Sequence, residues 1–217
     1  MLLLINRIFI VLKVWLAMFV MVRKAVVTAG GLGTRLLPAT KETPKEMLPF
    51  FAFNAGGSIY LKPVVQIVFE SLYEVGFRDF CFVVGRGKRA VEDHFTPDYQ
   101  FVHLLEKKRL KHQVEELNRF YRMIVDSKIL FVNQPEPRGF GDAVLRAESF
   151  VGSEASIFDR LGETKPDKKG KMQLSDAIKV ALDGGEKVFA VKLRKDEKYL
   201  DVGKRKIELI EKGVFTH

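Results

Sequence analysis

The chain has 217 residues, of which 47% are hydrophobic and 29% charged, and carries a net charge of +9 at neutral pH. That balance suits one large folded domain or two small ones, and excludes a disordered tail, a coiled coil, collagen and a polytopic membrane protein. The single cysteine, Cys81, excludes a disulfide framework and a cysteine zinc site, and a reducing cytoplasmic location is expected.

Residues 1–20 (MLLLINRIFIVLKVWLAMFV) are strongly apolar but interrupted by Arg7 and Lys13. Both cations count against a secretory signal and a membrane-spanning helix. The expectation is an apolar leader, with Met21 as the natural start and a domain over 21–217. A membrane contact is expected only if residues 1–20 are native, as a surface helix. Residues 23–29 read as a central strand ending at glycines. Val65, Val68, Leu72 and Val75 recur at helical spacing in 62–76, where Gly76 ends the helix. Asp79 to Val84 is a second strand, in which Cys81 only packs. Lys88 to Phe95 is a short helix. Residues 103–122, charged and free of Gly and Pro, predict one long, mostly exposed helix. Lys128 to Val132 is a third strand and Gly141 to Phe150 a helix. Residues 162–171 are a Gly-, Pro- and Lys-rich loop. Leu174 to Leu182 is an amphipathic helix, capped by Ser175 or Asp176, and Lys187 to Leu193 is strand-like. Alternating strands and helices imply a doubly wound α/β fold, a parallel sheet covered on both faces. Ligands then bind beyond the carboxyl ends of the strands, which singles out the loops after residues 29 and 132.

The first of those loops is Thr28-Ala29-Gly30-Gly31-Leu32-Gly33-Thr34-Arg35. Its glycines let backbone amides approach a phosphate chain. No Gly-Lys-Ser/Thr follows, so it is not a P-loop, and Leu36 stands where a dinucleotide fingerprint needs glycine or alanine. Arg35 can fork onto phosphate oxygens, Lys41 and Lys45 follow, and Pro38, Pro44 and Pro49 stiffen the segment. A phosphate-bearing ligand is therefore expected. No nucleic-acid partner is, since the basic residues are interleaved with acids and no nucleic-acid-binding motif occurs.

Residues 30–49, GGLGTRLLPATKETPKEMLP, closely resemble the signature of the sugar-nucleotide pyrophosphorylases, and within them that of the UTP–glucose-1-phosphate uridylyltransferases. The likeness continues through 62–95, 134–152, 157–178 and YLDVGK at 199–204; residues 50–60 (FFAFNAGGSIY) look like an inserted loop. The resemblance implies a Rossmann-like, doubly wound mixed sheet of the nucleotide-diphospho-sugar transferase type. It implies transfer of UMP from UTP to glucose 1-phosphate, with Mg²⁺ bridging phosphates, in a homodimer or homotetramer. Ala29, Gly30 and Gly31 would offer backbone to the nucleotide. Arg35 would grip the β- and γ-phosphates and Lys45 the reacting phosphates. Gln134 would read the uracil edge with a donor and an acceptor, and Gly139 would let the base lie against the backbone. Asp142 stands where the family usually has a histidine. Asp201 resembles a Mg²⁺ ligand. His94, between acids and Phe95, is expected to be structural.

The resemblance breaks near 153–157. After Gly152 the family continues into an apolar strand ending in Gly-Asp, which carries a metal ligand, and then into the sugar-binding Glu and a Val-Glu-Lys-Pro segment. None of these is present. A central segment is thus missing from the fold, either omitted from this sequence or deleted. The alternatives to uridylyl transfer are an inactive nucleotide-binding paralogue and a nucleotidyltransferase for another nucleotide or sugar 1-phosphate.

Overall fold

The computed structural model describes residues 2–4, 23–53, 57, 59–152 and 157–185. At its centre lies β5 (Asp79–Gly85), whose residues Phe80 to Val84 are all buried. Such an unbroken apolar run belongs to a parallel strand covered on both faces. β2 (Lys24–Ala29) and β6 (Lys128–Gln134) flank it in parallel, with Val26 opposite Cys81 and Cys81 opposite Leu130. The backbone of β1 (Leu2–Leu4) pairs with β2 on the far side, giving the order β1-β2-β5-β6.

Side chains alternate across a strand, so β2 and β5 feed two separate cores. Ala25, Val27, Ala29, Phe80, Phe82 and Val84 face α1 (Val64–Glu74), α2 (Arg89–His94), α3 (Tyr99–Lys107) and α4 (Lys111–Val125). Val26, Cys81 and Val83 face α5 (Phe140–Leu145), α6 (Glu148–Val151), α7 (Ile157–Glu163) and α8 (Leu174–Asp183). The first core is aromatic: Phe69 lies 4.7 Å from Phe80 and 5.1 Å from Phe95, and Phe82 lies 4.6 Å from Phe95, between ring centroids. These are attractive tilted and edge contacts. Cys81 packs as expected, fully buried, with its thiol pushed up to about 11 by burial.

Several expectations need correction. Val65 and Leu72 are buried on α1 beside Phe69, but Val75 is exposed, because the helix stops at Glu74. The run 103–122 is two helices. Arg109 adopts a left-handed φ of 57°, while Leu110 N–H donates to Leu105 O and Arg109 N–H to Glu106 O. This is a Schellman closure made without glycine, which composition does not signal. Nor is α4 mostly exposed: Phe120, Tyr121, Met123 and Ile124 are buried. The helix expected over 141–150 is split into α5 and α6. Neither Ser175 nor Asp176 caps α8; Gln173 holds the cap position, without a side-chain bond. The inserted segment belongs to an antiparallel pair, β3 (Pro49–Phe53) with β4 (Ile59–Pro63). Phe51 opposite Leu61 and Phe53 opposite Ile59 form an exposed apolar face. Lys187 to Leu193 lies outside the described residues.

His94 closes α2 and is structural. Its ring lies 5.0 Å from Phe120, and its Nε2 lies 3.0 Å from Gln66 Oε1. Gln66 donates to Glu70, which also pairs with buried Lys62 at 2.8 Å. This chain ties β4, α1 and α2 together. Burial pushes the imidazole from its ordinary 6.5 down to about 4, with Glu70 opposing. The unfolded chain therefore binds a proton that the folded chain rejects. Stability from this group is complete above pH 6.5 and falls as the pH drops toward 4, by up to about 3 kcal/mol. Urea midpoints at pH 7 and pH 4.5 should show this loss, and His94→Gln should flatten it.

Candidate nucleotide site

The carboxyl ends of β2, β5 and β6 converge on the first glycine loop. Ala29, fully buried, ends β2. Gly30 follows and packs directly on the Gln134 side chain, so that a Cβ at Gly30 would collide with Gln134 Oε1. A side chain at position 30 would have to push the end of the Gln134 side chain aside. The chain then makes a short 3₁₀ turn at Thr34–Leu36, anchored where Thr40 Oγ1 donates to Gly33 O at 2.8 Å. Arg35 sits on that turn, exposed, with no ion pair to another described residue. Its guanidinium is free for an anion.

A second 3₁₀ turn, Lys45–Met47, brings Lys45 back over the loop. Its Nζ stands 3.4 Å from where a Cβ on Gly31 would be. Behind it lies a buried carboxylate that sequence reasoning passed over. Glu46 Oε2 accepts from Lys88 Nζ at 2.7 Å, and Glu46 Oε1 lies 3.7 Å from Lys45 Nζ without a hydrogen-bond partner among the described residues. Lys88 comes from the turn after β5, 42 positions away. One buried carboxylate thus orients two lysines. Glu46 was in plain view within KEMLP, but no spacing could have joined it to Lys88.

Gln134 ends β6 and is buried, as is Asp142 on α5. Gln134 Nε2 donates to Asp142 Oδ2 at 2.7 Å and to Gly139 O at 3.1 Å. The expected donor-and-acceptor reading of a base therefore needs revision, since both amide hydrogens are already used. Gly139 has another reason to be glycine. Its φ is 104°, and a Cβ there would lie 2.7 Å from Met172 O. The segment before α8 docks here: Met172 N–H donates to Arg138 O and Gly141 N–H to Met172 O. Asp167 stiffens that segment by accepting from the N–H groups of Lys171 and Lys169 and from Gln173, which hold its carboxyl below the usual carboxylate range.

The fold thus brings together Ala29, Gly30, Gly31, Lys45, Gln134 and Gly139, with Arg35 one turn away. Asp201 lies outside the described residues. Among the described residues, no group of three or more His, Cys, Asp and Glu gathers to hold a metal ion, and no helix is long and apolar enough to cross a membrane. What the site offers is a backbone cradle, two cations and one inward-facing acceptor, suited to a nucleoside polyphosphate.

A nucleotidyl transferase family model matches residues 24–161, from β2 into α7, and the chain belongs to that family. It is 39% identical over 198 residues to a protein of Methanocaldococcus jannaschii, covering 90% of this chain and 63% of that one. It is 41% identical over 136 residues to a UTP–glucose-1-phosphate uridylyltransferase of Streptococcus pneumoniae, covering 63% of this chain and 41% of that one. A crystal structure of UDP-glucose pyrophosphorylase complexed with UDP-glucose shares the fold, with a TM-score of 0.67 over 85% of this chain and 94% of that one, at 21% identity. The chain spans less than two thirds of the length of these two curated relatives, in keeping with the break in resemblance after Gly152.

Proposed function

We propose that this chain transfers UMP from UTP to glucose 1-phosphate, forming UDP-glucose and pyrophosphate. The observation that carries this reading is the juxtaposition of Gln134 with Gly30 and of Lys45 with Gly31 at the strand ends. In this reading one pair serves the base and the other its phosphates.

A phosphate oxygen of glucose 1-phosphate attacks the α-phosphorus of UTP. The bond from that phosphorus to the bridging oxygen breaks, and pyrophosphate leaves with the electron pair. Little covalent chemistry falls to the protein, which must align two polyanions and stabilise charge. The amides at Ala29, Gly30 and Gly31 hold the triphosphate. Arg35 grips its β- and γ-phosphates, and Lys45 stabilises charge at the reacting phosphates. Mg²⁺ belongs to the same proposal. Asp201 would supply one carboxylate and the substrate phosphates further oxygens, and the ion would neutralise charge between phosphates. A cytoplasmic homodimer or homotetramer completes the proposal and is checked by light scattering of the purified chain.

The test is release of pyrophosphate and appearance of UDP-glucose when the purified chain meets UTP, glucose 1-phosphate and Mg²⁺. Arg35→Ala should lower turnover by about 10²-fold and leave the melting temperature unchanged, because the side chain is exposed. Wild-type turnover in that variant would remove Arg35 from the site. Equal or better use of dTTP or GTP would overturn the uridylyl assignment. UTP binding without turnover would identify an inactive nucleotide-binding paralogue.

A further inference from the structure

We infer that Asp142 is a positioning residue for base selectivity, acting by fixing which end of the Gln134 amide faces the ligand. The inference rests on the proposed reading of the site and adds what makes it choose one pyrimidine.

A glutamine amide can present its oxygen or its nitrogen, and its surroundings decide which. Around Gln134 they decide without ambiguity. One neighbour is the Gly139 carbonyl, 3.1 Å from Nε2, which can only accept. The other is Asp142, 2.7 Å from Nε2. Asp142 is 4% exposed, and its second oxygen lies 3.6 Å from the Arg146 guanidinium. Its Oδ2 is the acceptor of the Gln134 Nε2 hydrogen bond. Turning the amide over would set its oxygen against two acceptors inside a buried site, a costly arrangement. Both hydrogens of Nε2 are thus spent within the protein. Oε1 is left facing the Gly30 backbone, and no donor from the described residues reaches it.

A base read at that point must bring an N–H. Uracil and thymine have one at N3. Cytosine has a lone pair there, which would meet Oε1 acceptor to acceptor. Discrimination against CTP then comes from a single locked acceptor rather than from a donor–acceptor pair. A site whose buried polar group would be left unpaired rejects the wrong ligand strongly. Asp142→Asn removes the lock, because asparagine can turn either end of its own amide toward Gln134.

The experiment titrates the full chain and its Asp142→Asn variant with UTP, CTP and inorganic pyrophosphate by calorimetry, with circular dichroism to check folding. The wild-type chain should prefer UTP. The variant should lose at least tenfold of the UTP-to-CTP affinity ratio and keep its affinity for pyrophosphate, which needs only the loop amides and cations. A variant that folds and retains the wild-type ratio overturns the role of Asp142 while leaving the nucleotide reading intact. A wild-type chain that binds UTP and CTP equally overturns base reading by Gln134 altogether. Should the variant fail to fold, the side-chain amide protons of Gln134 in the wild-type chain decide by NMR. Slow exchange of both with solvent supports the lock, and exchange at the free rate overturns it.

Discussion

Replacing Lys45 by alanine is expected to lower kcat by about 10² to 10³-fold, with a smaller change in the KM for UTP. The side chain is 19% exposed, and its ammonium lies beside Gly31, where the triphosphate would run. A charge held there in advance needs no reorganisation when negative charge shifts onto the leaving pyrophosphate. Its gain is therefore concentrated in the transition state, and its loss appears in kcat. The fold should survive, because Glu46 keeps its 2.7 Å bond to Lys88. Lys45→Arg should recover activity only in part, since a planar fork does not occupy the place of a compact ammonium. Steady-state pyrophosphate release and thermal melting of the three proteins check this. Wild-type kcat in Lys45→Ala would remove the residue from the chemistry.

The second large effect concerns stability. Glu46→Leu should cost about 3 to 5 kcal/mol, because it leaves the buried Lys88 ammonium without its only ion-pair partner among the described residues. The double variant Glu46→Leu with Lys88→Met removes both charges and should regain most of that loss. Urea unfolding of the wild type, both single variants and the double variant measures the coupling. Costs that merely add would show that the two side chains act independently. The double variant should nevertheless stay slow in turnover, because Glu46 also stands 3.7 Å behind Lys45. Restored stability without restored activity would separate the two tasks of this carboxylate.

The parts of this protein that depend on neighbours in the chain were legible from the sequence alone. Lys24–Ala29 and Asp79–Gly85 are strands because each is a short apolar run bounded by turn signals, and α1 and α8 follow from helical spacing. The glycine loop, Arg35 and Lys45 could be named as candidates from one contiguous motif, because the proposed phosphate cradle is built locally from backbone. Family membership rests on the same contiguous motifs. The boundary between α3 and α4 was not legible, because arginine took a left-handed position usually given to glycine. Nor was the burial of Phe120, Tyr121, Met123 and Ile124, since it depends on what α4 packs against. The tertiary structure alone decided which side chains meet. Glu46 finds Lys88 across three intervening strands and a helix, and Met172 closes over Gly139 from beyond α7. Asp142 follows Gln134 by only eight positions, yet its effect on the amide depends on both being buried and on the carbonyl that completes the cage. A sequence states which groups can donate or accept. Only packing determines which of those capacities are consumed inside the protein and which remain for a ligand.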